Sequence, residues 1–270
     1  MAISPNHNVE LQELYNTPAV NHLSGFRDFA RLLKPAALIS AYQRLVTEAP
    51  RRHMNDKKYF VGHTGRPSGG GKSNRREERL AIALWNWNRE HGPFQLSSGH
   101  YLNLLDYQLP LFTQRSGEGI KAVDLFAVRD NQQPCVVELK IHPEGKGQSD
   151  TPLRAFLEAL AYCAVLEANI AAIAAEAAGM RAIEIQPVRP SLVILAPDKY
   201  WYGYLNHPSA GDWWPVIKQI ATQLREKMNL ESHFLVLRDS RSHMGLDGEK
   251  PHMTGNPRIT YLEDLTNRTY

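Results

Sequence analysis

The chain has 270 residues, of which 43% are hydrophobic and 22% charged, a composition typical of a globular protein. Its length allows one large domain or a core with a smaller addition. The net charge of +3 at pH 7 is too small to indicate a nucleic-acid partner by itself. The two cysteines, Cys135 and Cys163, lack a zinc-site spacing, so we expect buried thiols in a reducing compartment.

Neither a signal peptide nor a membrane span is predicted. The N-terminus "MAISPNHNVELQEL" lacks the basic and then apolar regions of a secretory signal. The longest apolar stretch, residues 156–180, is interrupted by Glu158, Glu167 and Glu176, which argues against a membrane helix. We therefore expect a cytoplasmic protein with no membrane partner.

Residues 1–60 are predicted to form an N-terminal helical segment. The stretch "GFRDFARLLKPAALISAYQRLV" places apolar residues at helical spacing, and Pro35 is expected to begin a second helix or to kink the first. Residues 61–270 are assigned to the main domain.

The segment between Arg51 and Arg79 is basic, with nine Lys or Arg and three Asp or Glu. It contains Gly71-Lys72-Ser73, which is similar to the end of a phosphate-binding loop, G-x-x-x-x-G-K-[ST]. The first glycine of that motif would be residue 66, which is arginine. A basic loop over 61–74 is therefore favoured, with Lys72 and Arg75 as candidate contacts to a nucleic-acid backbone. A nucleotide hydrolase is the weaker alternative.

A helix is predicted from about Arg75 to Glu90, capped by Ser73 or Asn74. Glu77 and Glu78 lie in its first turn, where acidic side chains complement the helix dipole.

The later elements alternate in type. Strands are predicted at Tyr101–Phe112, Ile120–Val128, Pro134–His142, Pro190–Pro197, 232–239 and 258–265, and helices at Pro152–Gly179 and Asp212–Met228. The second and third strands are joined by a hairpin turn at residues 129–133. This order predicts an α/β or α+β fold with a mixed sheet flanked by helices.

The hairpin brings three charged residues together. With its turn centred near Asn131, Asp124 and Glu138 face each other across the two strands. Lys140 follows Glu138 by two residues and therefore lies on the same face of the sheet. Two carboxylates beside apolar neighbours require a neutralising cation, which is Lys140, a divalent metal, or both. The alternative is a hairpin with one polar face and a cross-strand ion pair.

"VDLFAV" followed by "CVVELK" resembles the core of the PD-(D/E)XK nuclease superfamily. That family has a helix with an acid, a meander carrying D and then E-x-K, a second helix and a further strand. The chain supplies these elements in order over Arg75–Pro197. Val123 stands where the family usually has proline.

The resemblance implies a restriction-endonuclease-like fold and a set of site roles. Asp124, Glu138 and the backbone carbonyl of Leu139 would hold Mg²⁺ or Mn²⁺, and Lys140 would position the attacking water. Glu77 or Glu78 would be an auxiliary acid of the first helix, with a slight preference for Glu78 from the family pattern.

The second helix would add substrate contacts. Arg154 and Tyr162 would flank the scissile phosphate. Glu158 shares a helix face with Tyr162 and occupies a position that is glutamine in some branches of the superfamily.

The resemblance therefore implies a metal-dependent phosphodiesterase that cleaves nucleic acid, more specifically DNA, in restriction, repair or antiviral defence. The alternative is a non-catalytic nucleic-acid-binding or protein-interaction module with the same fold. No base-reading motif is visible. Sequence specificity would come from the N-terminal segment, the C-terminal third or a partner protein. The expected partners are nucleic acid and either a second copy of the chain, in a homodimer, or a partner protein.

Overall fold

The computed structural model describes residues 10–51, 58–67, 76–111, 122–130, 132–142, 150–181, 183–238, 244–247 and 250–266. The predicted helix cap at Ser73 or Asn74 and the predicted phosphate contacts Lys72 and Arg75 lie outside these ranges.

The helices are α1 (Leu11–Asn16), α2 (Phe26–Leu32), α3 (Pro35–Glu48), α4 (Arg76–His91), α5 (Pro152–Arg181), α6 (Asp198–Leu205), α7 (Trp213–Met228) and α8 (Glu263–Thr266), with a 3₁₀ turn at Pro18–Asn21. The strands are β1 (Phe94–Gln95), β2 (Tyr101–Pro110), β3 (Ala122–Arg129), β4 (Gln133–Leu139), β5 (Ser191–Pro197), β6 (Ser232–Arg238), β7 (Met244–Asp247), β8 (Lys250–Met253) and β9 (Arg258–Tyr261).

Seven of the strands form one mixed sheet in the order β1-β2-β3-β4-β5-β6-β9. The pairs β4–β5 and β5–β6 are parallel, and the others are antiparallel. The sheet curls until its two ends approach, because Leu96 beside β1 bridges Ile259 of β9. The prediction of a mixed α/β fold with helices on a central sheet is confirmed.

Each face of the sheet packs on its own hydrophobic core. Helix α4 lies against one face, where its residues 80–85 join apolar side chains from β1 to β6. The other face packs against α5 and α7 together with helices α1 to α3. The N-terminal helices are therefore part of the larger core, and Pro35 begins α3 at its first turn as predicted.

The hairpin of β3 and β4 has the predicted register. Leu125 pairs with Val137 and Ala127 with Cys135, so residue numbers across the pair sum to a constant. Continuing this register by one residue sets Asp124 opposite Glu138. Both cysteines are buried free thiols, as expected from their spacing.

Helix α5 is long and apolar enough to cross a membrane by length and composition, but 78% of its most apolar window is buried inside the protein. Its glutamates have partners there. Glu167 accepts hydrogen bonds from Tyr42 and Arg189, and Glu176 accepts two from backbone N–H groups. Helix α5 therefore behaves as a core helix, which is consistent with a soluble protein.

Several elements differ from the sequence expectation. The strand predicted at 258–265 ends at Tyr261, and helix α8 begins at Glu263. The stretch after β5, for which no element was predicted, forms helix α6, with Tyr200, Trp201 and Tyr204 buried. The hairpin of β7 and β8 had no sequence signal; β8 packs on α4 and buries Met253 there.

The Glu176 carboxylate is expected to contribute strongly to stability. It accepts hydrogen bonds from the backbone N–H groups of Tyr59 (3.0 Å) and Phe60 (2.8 Å). Glu176→Ala removes both charged hydrogen bonds and should lower the free energy of unfolding by about 2–3 kcal/mol. Urea denaturation measures this change, with exposed Glu184→Ala as the control. Equal stability of the two variants would contradict the anchoring role.

Candidate active site

A cluster of charged side chains lies where β4 ends. Lys140 follows that strand and is only 4% exposed. Its Nζ lies 2.5 Å from Oε1 of Glu138, 3.4 Å from Oε2 of Glu158 and 3.4 Å from Oδ2 of Asp150. Asp150 lies just before α5 and Glu158 lies in its second turn, so the end of a strand and the start of a helix build the site together.

Asp124 is anchored to the backbone and to one side chain. Its Oδ2 accepts a hydrogen bond from the N–H of Leu139 (3.1 Å), and its Oδ1 accepts one from Nε2 of Gln108 (3.0 Å). Gln108 has φ +48°, a conformation that costs energy outside glycine. Burial raises the pKa of Asp124, against the opposing effect of nearby Lys140.

Glu138 is 2% exposed, and its second oxygen, Oε2, has no hydrogen-bond partner among the described residues. Burial raises the pKa of Glu138, and Lys140 opposes that shift. The pKa of Lys140 is raised because Glu138, Glu158 and other carboxylates surround its ammonium group. Lys140 is therefore a permanent cation, and Glu138 offers a buried oxygen to a further cation.

The two glutamates of the first turn of α4 point to different places. Glu77 interacts with Lys140 and Asp124 and accepts a hydrogen bond from the N–H of Ile141. Glu78 instead lines a neighbouring cavity with Tyr107. The structure therefore brings Glu77 to the cluster, and these contacts do not support the sequence preference for Glu78.

The two predicted substrate-contact residues of α5, Arg154 and Tyr162, each contact a carboxylate of the cluster. Tyr162 donates a hydrogen bond to Oε1 of Glu158 (3.0 Å), and burial raises its pKa. Nε of Arg154 lies 3.4 Å from Oδ1 of Asp150. Glu158 thus connects Lys140 with Tyr162 at a position where the sequence left its role open.

Sequence reasoning missed three residues of the site. Asp150 precedes the first turn of α5, and this helix-start position was its only signal. Gln108 carried no signal, because a β-bulge between Leu104 and Asp106 changes the alternation of β2. Tyr15 of α1 lies near Glu158, and burial raises its pKa to about 12. Helix α1 packs on α5, the helix that carries Glu158.

The described residues contain no preformed group of three or more His, Cys, Asp or Glu side chains arranged to hold a metal ion. Asp124 and Glu138 supply two carboxylates, and Mg²⁺ is commonly held by one or two carboxylates with water and substrate. The cluster contains more carboxylates than cations. The net negative charge of the cluster therefore favours binding of a cation over binding of an anion.

Glu77 should make stability depend on pH. Burial raises its pKa to about 7, whereas an unfolded chain has a value of about 4.3. Below pH 4, Glu77 is protonated in both the folded and the unfolded protein. As the pH rises to 7, Glu77 ionises more readily in the unfolded chain, so the free energy of unfolding falls. Glu77→Gln should therefore raise the free energy of unfolding by about 1–3 kcal/mol at pH 8 and leave it unchanged at pH 4.

Urea denaturation at the two pH values measures this difference. Glu90→Gln, which changes an exposed acid at the other end of α4, is the matched control. A gain of equal size at both pH values would show that the ionisation of Glu77 is not its cause.

No protein-family model, curated protein or solved structure matches this chain at a significant level.

Proposed function

We propose that the protein is a metal-dependent phosphodiesterase that cleaves nucleic acid, with DNA as the expected substrate, on a restriction-endonuclease-like fold. The order α4, β2, β3, β4, α5, β5 agrees with the PD-(D/E)XK pattern. The observation that carries the proposal is the buried Lys140 beside Glu138, whose Oε2 lacks a hydrogen-bond partner in the described part of the chain. A buried E-x-K pair opposite Asp124 is costly to fold, and a catalytic role accounts for it.

The donor set fits Mg²⁺ or Mn²⁺. Glu138 has an oxygen available, Asp124 is its neighbour across the hairpin, and the backbone carbonyl of Leu139 lies between Glu138 and Lys140 in the chain. Hard cations prefer these oxygen ligands. The metal, when bound, would lower the pKa of a water and stabilise negative charge on the phosphoryl oxygens.

The side chains of the chain would perform the remaining steps. Lys140, held as a cation, orients the attacking water and neutralises charge that develops on the phosphate. Glu77, which interacts with Lys140 and Asp124, would accept the proton of that water. The water oxygen forms the new bond to phosphorus, the bond to the leaving oxygen breaks, and that oxygen takes up a proton from solvent. Arg154, 28% exposed at the edge of the cluster, is placed to contact the substrate phosphate.

The test is cleavage of supercoiled and linear DNA with Mg²⁺, with Mn²⁺ and with EDTA. We expect cleavage only with metal, and none by Asp124→Ala. Cleavage that survives this substitution would refute the assigned site. DNA retention without cleavage and without an effect of metal would support the alternative, a non-catalytic binding module.

A further inference from the structure

A second cavity adjoins the carboxylate cluster. It has a volume of about 370 Å³ and is lined by residues from 61–67, by Glu78 and by Tyr107 and Gln108 of β2. Gln108 also donates its hydrogen bond to Asp124, and Glu78 follows Glu77 in α4. The Gln108 side chain therefore lies between the cavity and the candidate active site and borders both.

One wall of the cavity is aromatic. His63 stacks on Tyr107, with ring centroids 4.0 Å apart and 25° between the ring planes. Tyr107 is 3% exposed, whereas the side chain of His63 is 21% exposed. The outer ring of the stack is thus accessible to a further flat group, and nucleobases stack on such side chains.

The segment that carries His63 is held in one conformation. Gly65 has φ +77°, and a Cβ there would lie 2.3 Å from Oδ1 of Asn86. Asn86 donates hydrogen bonds to the carbonyl oxygens of Gly65 (3.2 Å) and Pro251 (2.8 Å), and Tyr107 donates one to the carbonyl of Arg66 (3.3 Å). The cavity wall is therefore tied to α4, β2 and β8.

The charges around the cavity select the type of ligand. The carboxylate of Glu78, 8% exposed, lines it, and the fully buried carboxylate of Asp106 lies 3.8 Å from Nε2 of His63. Arg66, which is exposed, also lines the cavity, so a phosphate is disfavoured beside Glu78 rather than throughout the cavity. The Glu78 carboxylate favours a ligand that donates hydrogen bonds, such as the exocyclic amino group of adenine, cytosine or guanine.

We propose that this cavity is a nucleobase pocket for a base with an exocyclic amino group (adenine, cytosine or guanine) next to the scissile phosphate. The base stacks on His63 and donates its amino group to Glu78, while the phosphate of the same nucleotide lies at the cluster beyond Gln108. This inference rests on the proposed function and extends it to base preference. It gives Glu78 a role in substrate selection.

The test is the binding of fluorescent oligo(dA), oligo(dC) and oligo(dT) tetramers in EDTA, measured by anisotropy. The wild-type protein should bind oligo(dA) and oligo(dC) about tenfold more tightly than oligo(dT). His63→Ala should weaken oligo(dA) binding about tenfold. Glu78→Leu, which removes the acceptor oxygens, should remove the preference over oligo(dT). His100→Ala changes a half-exposed histidine beside Asp130, away from the cavity, and should have no effect.

Thermal melting of each variant establishes that it is folded. Equal binding of the three oligonucleotides, or a preference that survives both His63→Ala and Glu78→Leu, would overturn the base pocket. A base preference without metal-dependent cleavage would support the pocket and refute the proposed catalytic function. Metal-dependent cleavage without a base preference would support the proposed catalytic function and refute the base pocket.

Discussion

Lys140→Met should lower the free energy of unfolding at pH 8 by about 3–5 kcal/mol. Lys140 is 4% exposed and lies within 3.4 Å of carboxylate oxygens from Glu138, Asp150 and Glu158. Methionine fills a similar volume but leaves Glu138 buried without its cation. The loss comes from that uncompensated carboxylate, because a buried charge without a partner is far more costly than the pair it came from.

The pH dependence of this loss identifies its cause. Without Lys140, the pKa of Glu138 rises further above its unfolded value, so the folded variant binds more protons than the unfolded chain. Its stability must then fall as the pH rises. The destabilisation should therefore be smaller at pH 5 than at pH 8, as measured by urea denaturation at both values.

Two further variants separate charge from packing. Glu138→Gln combined with Lys140→Met removes both charges and should recover most of the lost stability. Lys218→Met removes an exposed lysine, whose ion pair with Glu263 spans 3.7 Å, and should change stability by less than about 0.5 kcal/mol. A loss of the same size at both pH values, or no recovery in the double variant, would show that packing is the cause.

The part of the site that local geometry controls could be predicted from sequence. A short turn fixes the register of β3 and β4, and alternation then places Glu138 and Lys140 on one face. The contact between Lys140 and Glu138 and the hydrogen bond from Leu139 to Asp124 follow from that arrangement. The same holds for Glu158 and Tyr162, which are one helical turn apart.

The choice between Glu77 and Glu78 could not be made in this way. Helix α4 packs inside the curled sheet, and its residues 80–86 are all buried. Because no single apolar face distinguishes the buried side of the helix, the sequence does not show how the helix is rotated about its axis. The direction of each glutamate depends on how far the sheet curls, which is a property of the whole fold. Asp150 was missed for a related reason, since its contact with Lys140 depends on the packing of α5 against β4.

The N-terminal helices show a similar limit. Their helical spacing was sufficient to predict the helices themselves, but their position depends on long-range contacts. Thr151 donates a hydrogen bond to the carbonyl of Val20 (2.5 Å), and Asn21 donates one to Asp150 (3.0 Å). The N-terminal segment is thus attached to the acids around Lys140, and its removal would expose the site.

Metal binding should be measurable without catalysis. If Asp124 and Glu138 hold Mg²⁺ or Mn²⁺, an excess of metal about 100-fold above the dissociation constant should raise the free energy of unfolding by about 2.7 kcal/mol. Asp124→Asn should abolish this gain, because it removes one of two carboxylate ligands. The same substitution should lower cleavage about a thousandfold, which corresponds to about 4 kcal/mol of transition-state stabilisation.

The matched control is Asp28→Asn, which changes an exposed acid of α2 that pairs with Arg27 and Arg31. It should retain both the metal-dependent rise in stability and full cleavage. Metal stabilisation that persists in Asp124→Asn would place the ion elsewhere, whatever its effect on cleavage. Loss of cleavage with unchanged metal stabilisation would instead assign Asp124 to positioning the substrate or water, because ligation and catalysis would then be carried by different groups of the same cluster.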